Sequence, residues 1–252
     1  MAEKIITLSN LKAACSTCDL RELCLPIGLA DSDVDLLDKI IRRRKPLQRG
    51  EYLFRPGDEQ HAIYAVRSGS IKTSLTTPDG EEHVTGFNLP GELVGLDAIT
   101  ASVHRCSAKA LETSSVCEIP ISMLDELSGR IQSLRHRLLQ LMSQEIMDDQ
   151  ELLLLLGKRS ADERLAIFLL NVANRHKHRG LSESKFRLSM SRTDIANYLG
   201  LAVETVSRLF ARLQEQQILA AEGKEIHILD QSRLKEMASF HASCADSIPR
   251  KA

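Results

Sequence analysis

The hydrophobic pattern of this 252-residue chain changes period several times. Over 31–45, Val34, Leu37, Ile40 and Ile41 share one face, so a short helix is predicted there. Asp31, Ser32 or Asp33 would cap it and Pro46 would stop it. The basic run Arg42–Lys45 then reads as a solvated helix end whose cations complement the helix dipole, in preference to a DNA site. From Leu47 to about Ile121 the pattern alternates in part, in EYLF, AIYAVRSG, SIKTSLTT, EHVTGFNL and SSVCEIP. Arg49-Gly50, Pro56-Gly57, Ser68-Gly69, Asp79-Gly80 and Pro90-Gly91 separate these segments. Breakers spaced by about ten residues predict a small antiparallel barrel or jelly roll.

Residues 122–156 contain no proline and one glycine near their start, and predict a single long helix. Arg135, Leu139, Met142, Ile146, Asp149, Leu153 and Leu156 step by fours and threes, the spacing of a coiled-coil seam. Leu134, Leu138 and Leu141 lie on an adjoining face suited to packing on the barrel. A helix with a second apolar seam points to a dimer element over a buried core helix. Asp149 sits in that seam. Across a dimer it would bring two like charges together, or it could set register, and the sequence leaves both roles open.

A further apolar-periodic helix spans 160–179, with Leu165, Phe168, Leu169 and Val172 on one side. In MSRTDIANYLGLAVETVSRLFARLQEQQIL, Ser191 can cap a helix over Arg192–Leu199. Gly200 allows a tight turn, and a second helix runs from near Val203 to about Gln216. With Ile195, Leu199, Leu201, Val206 and Leu209 buried, this is a helix-turn-helix pattern, the alternative being an unrelated helical hairpin. Glu204, Ser207 and Arg208 form the polar face of the second helix. Arg208 can donate twice to a guanine, Glu204 can accept from a cytosine amine, and Ser207 can reach base or phosphate. A solvated Glu/Arg pair at i,i+4 is the plainer reading. Arg192, Thr193, Thr205 and Arg212 are candidate phosphate contacts. EGKEIHILDQ predicts a wing hairpin, and 239–252 a flexible tail.

The net charge of −1 conceals an asymmetry. From Lys158 onward there are 16 Lys/Arg against 11 Asp/Glu, net +5, which leaves 17 against 23, net −6, for Met1–Gly157. An acidic body with a basic end favours a polyanion partner for that end. Neither a secretory h-region nor an eighteen-residue apolar run is present, so a cytoplasmic protein with no membrane span is expected. In a reducing compartment, Cys15-Ser-Thr-Cys18-Asp-Leu-Arg-Glu-Leu-Cys24 reads as a metal or iron–sulfur site and not as a disulfide framework. Cys106, Cys117 and Cys244 are the candidates for a fourth ligand, and spacing alone leaves them open.

The cysteine group, the block ALETSSVCEIP, the helix MSQEIMDDQELLLLL and LGLAVETVSRL together resemble the oxygen-sensing fumarate and nitrate reduction regulators of the cyclic AMP receptor superfamily, over essentially the whole chain. The resemblance implies an α+β architecture. A cysteine-rich segment (1–30) precedes an antiparallel β-roll (31–121), a dimerisation helix (122–157), a winged helix-turn-helix (158–238) and the tail. It implies Cys15, Cys18, Cys24 and Cys117 as ligands of one oxygen-labile [4Fe–4S] cluster per chain. It also implies a homodimer while the cluster is intact, palindromic double-stranded DNA with TTGAT-like half-sites, and contact with RNA polymerase. Oxygen would convert the cluster toward [2Fe–2S] and release a monomer, with Asp149 at the family's acidic dimer-helix position. The expected function is regulation of genes of anaerobic metabolism. Gly91, Glu92 and Leu93 resemble the superfamily's phosphate cradle, but Cys106-Ser107 stands where an Arg-Ser pair is expected. Arg105, one place away, would point to the opposite face. Rival readings are a DNA-binding regulator with structural zinc or a cyclic nucleotide as input, and an iron–sulfur enzyme. No second His/Asp/Glu constellation supports the enzyme, since His176 and His178 read as a solvated helix end.

Overall fold

The structure is a computed structural model that describes residues 14–99 and 101–238. The first thirteen residues, Cys244 and the expected tail at 239–252 lie outside the described residues. The chain divides into two compact units, Met1–Thr76 with Gly86–Ser143, and Thr77–Thr85 with Gln144–Ala252.

The first unit opens with a 3-10 turn at Cys15–Thr17, then α1 (Asp31–Ile40) and β1 (Arg42–Arg43). Seven strands follow: β2 (Tyr52–Phe54), β3 (Ala62–Ser68), β4 (Ile71–Thr76), β5 (Glu82–Asn88), β6 (Leu93–Val94), β7 (Ser107–Ala110) and β8 (Ser115–Pro120). They form two four-stranded sheets, β1-β8-β3-β6 and β2-β7-β4-β5, the strand order of a jelly roll. β3 and β8 run antiparallel from Ala62↔Pro120 to Ser68↔Ser115. The tight turn after β3 requires glycine, because Gly69 has φ +77° and a Cβ there would lie 2.6 Å from the Thr113 carbonyl oxygen. Phe54, Ile71, Val94, Ala108 and Val116 fill one core. A second joins Leu25, Leu37, Ile63 and Ile119 to Leu124, Ile131 and Leu134 of the helices that follow.

Two helix predictions are corrected. The helix expected over 31–45 ends at Ile40, because Ile41 turns extended (φ −74°, ψ 129°) and Arg42–Arg43 joins the sheet. Arg42 pairs with Glu118 and Arg43 with Cys117, so this basic pair is an edge strand and not a helix end. Strand pairing satisfies its backbone, and the Arg44 Nε–Glu118 contact at 3.1 Å helps hold the run. At the other end, Ala30 occupies the cap position without a side-chain bond, while Asp31 and Asp33 lie in the first turn. The long helix expected over 122–157 is two helices, α2 (Ile121–Arg130) and α3 (Gln132–Lys158). Ile131 between them is extended (φ −108°, ψ 101°) and buried in the second core. Gly129 weakens the preceding turn by about 1 kcal/mol relative to alanine, and burial of Ile131 and Leu134 decides where the chain bends.

In the second unit, α4 (Ala161–His178) starts at a capping box between Ser160 and Glu163, and α5 (Arg192–Leu199) at one between Ser191 and Asp194. Gly200, left-handed at φ 61°, ends α5, and α6 (Val203–Glu215) follows. Leu165, Leu169, Ile195, Leu199, Val206 and Leu213 are fully buried. The predicted wing is the hairpin β10 (Leu219–Glu222) and β11 (Glu225–Ile228), joined by β9 (Lys185–Arg187) in a sheet of order β10-β11-β9. A last helix, α7 (Gln231–Met237), places Leu234 in the core. Among the described residues no helix is long and apolar enough to cross a membrane.

Candidate functional site

The cysteine segment winds through consecutive turns. Arg21 N donates to Cys18 O at 3.0 Å, Cys24 N to Leu20 O at 2.9 Å and Ile27 N to Cys24 O at 3.4 Å. Leu25, 1% exposed, anchors this winding in the core. Its start is held by Asp38 at the end of α1, whose Oδ1 accepts from Cys15 N at 3.0 Å and from Arg43 Nη2 at 2.6 Å. Burial would raise the Asp38 carboxyl, but these two donors prevail and hold it below the usual carboxylate range. The Arg43↔Cys117 register then brings β8 to the same place.

The result is one pocket lined by Cys15, Cys18, Cys24 and Cys117, with Leu25, Leu37, Ala65 and Ile119 among its apolar walls. The pocket is tight, with a cavity volume of about 30 Å³. All four cysteines are free thiols. Burial pushes Cys15 and Cys24 up to about 12 and raises Cys117 as well, with the Asp38 carboxylate adding to the effect at Cys15. At neutral pH the thiols of Cys15 and Cys24 therefore keep their protons, and a metal centre bound there would have to displace them. Four soft donors in an apolar pocket fit an iron–sulfur cluster. Among the described residues no three His, Cys, Asp or Glu side chains lie close enough to grip a single ion. The Nε of Arg137, on α3, is buried without a hydrogen-bond partner.

Cys106 is placed elsewhere. It packs in the other core, and its Sγ donates to Asp97 Oδ2 at 3.4 Å. The segment resembling a phosphate cradle is itself covered. Gly91 has φ +93°, and a Cβ there would lie 2.9 Å from Leu23 Cβ of the cysteine segment. The Glu92 carboxylate accepts from Leu89 N at 2.9 Å, and Arg105 is exposed while Cys106 and Ser107 are buried.

α3 carries two faces, as its spacing predicts. Leu134 is fully buried, and Leu138 and Leu141 pack against the core that also receives Cys15, Cys24 and Cys117. Along the other face Leu139, Met142, Ile146 and Leu153 are 60%, 38%, 58% and 71% exposed. Arg135 and Asp149 are exposed on the same helix, and Leu156 is half-buried near Gly200.

On α6, Glu204, Ser207 and Arg208 are exposed, opposite buried Val206, Leu209 and Leu213. The Ser207 hydroxyl donates back to Val203 O at 2.9 Å, and Arg208 Nη2 to Thr205 Oγ1 at 3.4 Å. Thr193 is exposed on the first turn of α5. The other two candidate phosphate contacts are engaged within the unit. Arg192 stacks 3.3 Å over the Phe210 ring, where burial works against its charge, and Arg212 pairs with Asp162. Arg164 had no sequence signal beyond its place in the first turns of α4. It donates from Nε to Arg159 O at 2.9 Å, from Nη1 to Leu199 O at 2.9 Å and from Nη2 to Leu156 O at 2.7 Å.

Residues 163–237 match the Crp-like helix-turn-helix domain family, and residues 44–130 match the cyclic nucleotide-binding domain family. The structure is similar to "The Structure of FixK2 from Bradyrhizobium japonicum", with a TM-score of 0.72, 29% identity, and coverage of 78% of this chain and 97% of that one. Jelly roll, long helix and winged helix-turn-helix thus make this a regulator of the Crp fold. The chain is 52% identical to the transcriptional activator protein Anr of Pseudomonas protegens over 94% of its own length and 98% of that protein's. It is 50% identical to the fumarate and nitrate reduction regulatory protein of Escherichia coli over 92% of each. It belongs to the family of Anr and fumarate and nitrate reduction regulators, which are transcription regulators.

Proposed function

We propose that this chain is an oxygen-responsive transcription regulator of anaerobic metabolism. It holds one [4Fe–4S] cluster on Cys15, Cys18, Cys24 and Cys117 and pairs with a second copy along α3. It reads palindromic double-stranded DNA with TTGAT-like half-sites through Glu204, Ser207 and Arg208, and it acts on RNA polymerase in the cytoplasm. The carrying observation is that four free thiols, three from the N-terminal segment and one from β8, line a single apolar pocket. The cluster, when bound, supplies a centre that oxygen can degrade. The protein's part is to hold it against the core that also packs Leu134, Leu138 and Leu141 of α3. A change at the pocket therefore bears on the helix whose other face carries the exposed apolar seam. A monomer–dimer balance responds strongly to such a change, since about 5.5 kcal/mol moves a two-state equilibrium from 1:99 to 99:1.

The match of residues 44–130 to cyclic nucleotide-binding domains is the observation that favours a nucleotide input. Against it, Leu23 lies on the Gly91 turn and Arg105 is exposed. Anaerobic purification tests the reading. A brown protein with about four iron and four sulfide per chain, dimeric by sedimentation and monomeric after air, is expected. Cys117→Ser should lose the iron while Cys106→Ser retains it. A colourless protein holding stoichiometric zinc, unchanged by air, would overturn the reading.

A further inference from the structure

A half-buried arginine on α3 packs on the core that receives the cysteines, and its Nε is fully buried. Residues 134, 137, 138 and 141 share one face of that helix by their spacing. Leu134, Leu138 and Leu141 pack against the core that receives Cys15, Cys24 and Cys117, and the fourth member of the face is Arg137. Its Nε is buried and lacks a hydrogen-bond partner. Arg137 interacts electrostatically with Cys24, and burial lowers its guanidinium from the usual range. A donor buried without an acceptor is a net cost to the fold unless some state of the protein supplies one.

We propose that Arg137 is a positioning residue for the metal centre: its Nε–H donates to the Cys24 thiolate or to a cluster sulfide, and its charge offsets that of the bound centre. The inference rests on the cluster reading given above. Four thiolates around a 2+ core leave a net charge of 2−, enclosed in apolar walls, where an adjacent cation has most effect. Without the centre, the Nε of Arg137 has no acceptor. α3 therefore gains a charge-assisted hydrogen bond only in the loaded state, in addition to its leucine contacts.

The experiment compares full-length wild type, Arg137→Met and Arg137→Lys, loaded anaerobically and then challenged with an iron chelator while visible absorbance is followed. Outer-shell partners commonly change metal retention by about 10–100-fold. Arg137→Met should lose its cluster at least about tenfold faster, with Arg137→Lys between it and wild type. In the apo proteins the order should reverse. Arg137→Met removes a buried donor that has no acceptor, so its urea midpoint should rise above that of the wild type. A merely structural arginine would lower that midpoint when replaced. Equal chelation rates, or an apo midpoint that falls or a variant that fails to fold, would overturn the role of Arg137 while leaving the cluster reading intact. A wild type that binds no iron would remove both.

Discussion

Arg164→Met is the substitution that most directly probes how the helix-turn-helix is held. The guanidinium of Arg164 serves three carbonyls: Leu156 O near the end of α3, Arg159 O in the link to α4, and Leu199 O at the end of α5. Each lies at or near a helix C-terminus, where carbonyls lack intrahelical partners and the dipole favours a cation. Charge-assisted bonds contribute about 1.5 kcal/mol each at the low end of their range. All three are partly buried, so water can serve the carbonyls in the variant, and halving the sum leaves a loss of about 2 kcal/mol. That corresponds to roughly a thirtyfold change in a local opening equilibrium. Hydrogen exchange should report it as faster exchange at Gly200 and Leu201, whose amides bond Asn197 O and Ala196 O. Affinity for operator DNA should fall with it. Arg164→Lys should recover only part, because an ammonium cannot span three carbonyls as a planar fork does. Unchanged exchange in the 199–203 turn would refute the reasoning, since the three bonds would then contribute nothing that water does not replace.

Arg208→Ala should weaken specific operator binding by roughly 1–3 kcal/mol, and equal loss on random DNA in a titration would argue against base reading. Asp149→Ala should tighten apo-protein dimerisation by about 1 kcal/mol through removal of like-charge repulsion, visible in sedimentation; an unchanged profile would mean that the residue does not face its counterpart. Gly200→Ala should cost about 1 kcal/mol in urea denaturation, because φ is 61° while the nearest atom to the new Cβ, Leu156 Cδ2, is at an acceptable 3.4 Å. A stabilised variant would contradict this.

The helix-turn-helix was legible because its local signals agree: Ser191 caps, Gly200 turns, and the apolar steps from Ile195 to Leu213 are helical. The barrel was legible from its breakers. Two-residue β6 and four-residue β7 escaped, being too short to show a period. The bend at Ile131 and the strand at Arg42–Arg43 were hidden because each is decided by a distant partner, the N-terminal core in one case and Cys117 and Glu118 in the other. Spacing left the fourth thiol open; in the structure Cys117 lines the pocket and Cys106 does not. Arg137 did leave a trace, as a lone charge within the leucine face of α3. Asp38 and Arg164 left none, because a carboxylate bound to a distant amide and a guanidinium bound to distant carbonyls look like any surface charge.

Leu23 resting on Gly91 has a wider consequence. In a domain whose family is described by a diffusible ligand, the turn at Gly91 is covered by the chain's own cysteine-bearing segment. A tethered segment meets its contact at a concentration set by its linkage, not by any cellular pool. Dilution cannot remove it, and competition must act against a fixed local excess. Under the function proposed above, the state of the domain would follow what that segment carries and how fast it is lost.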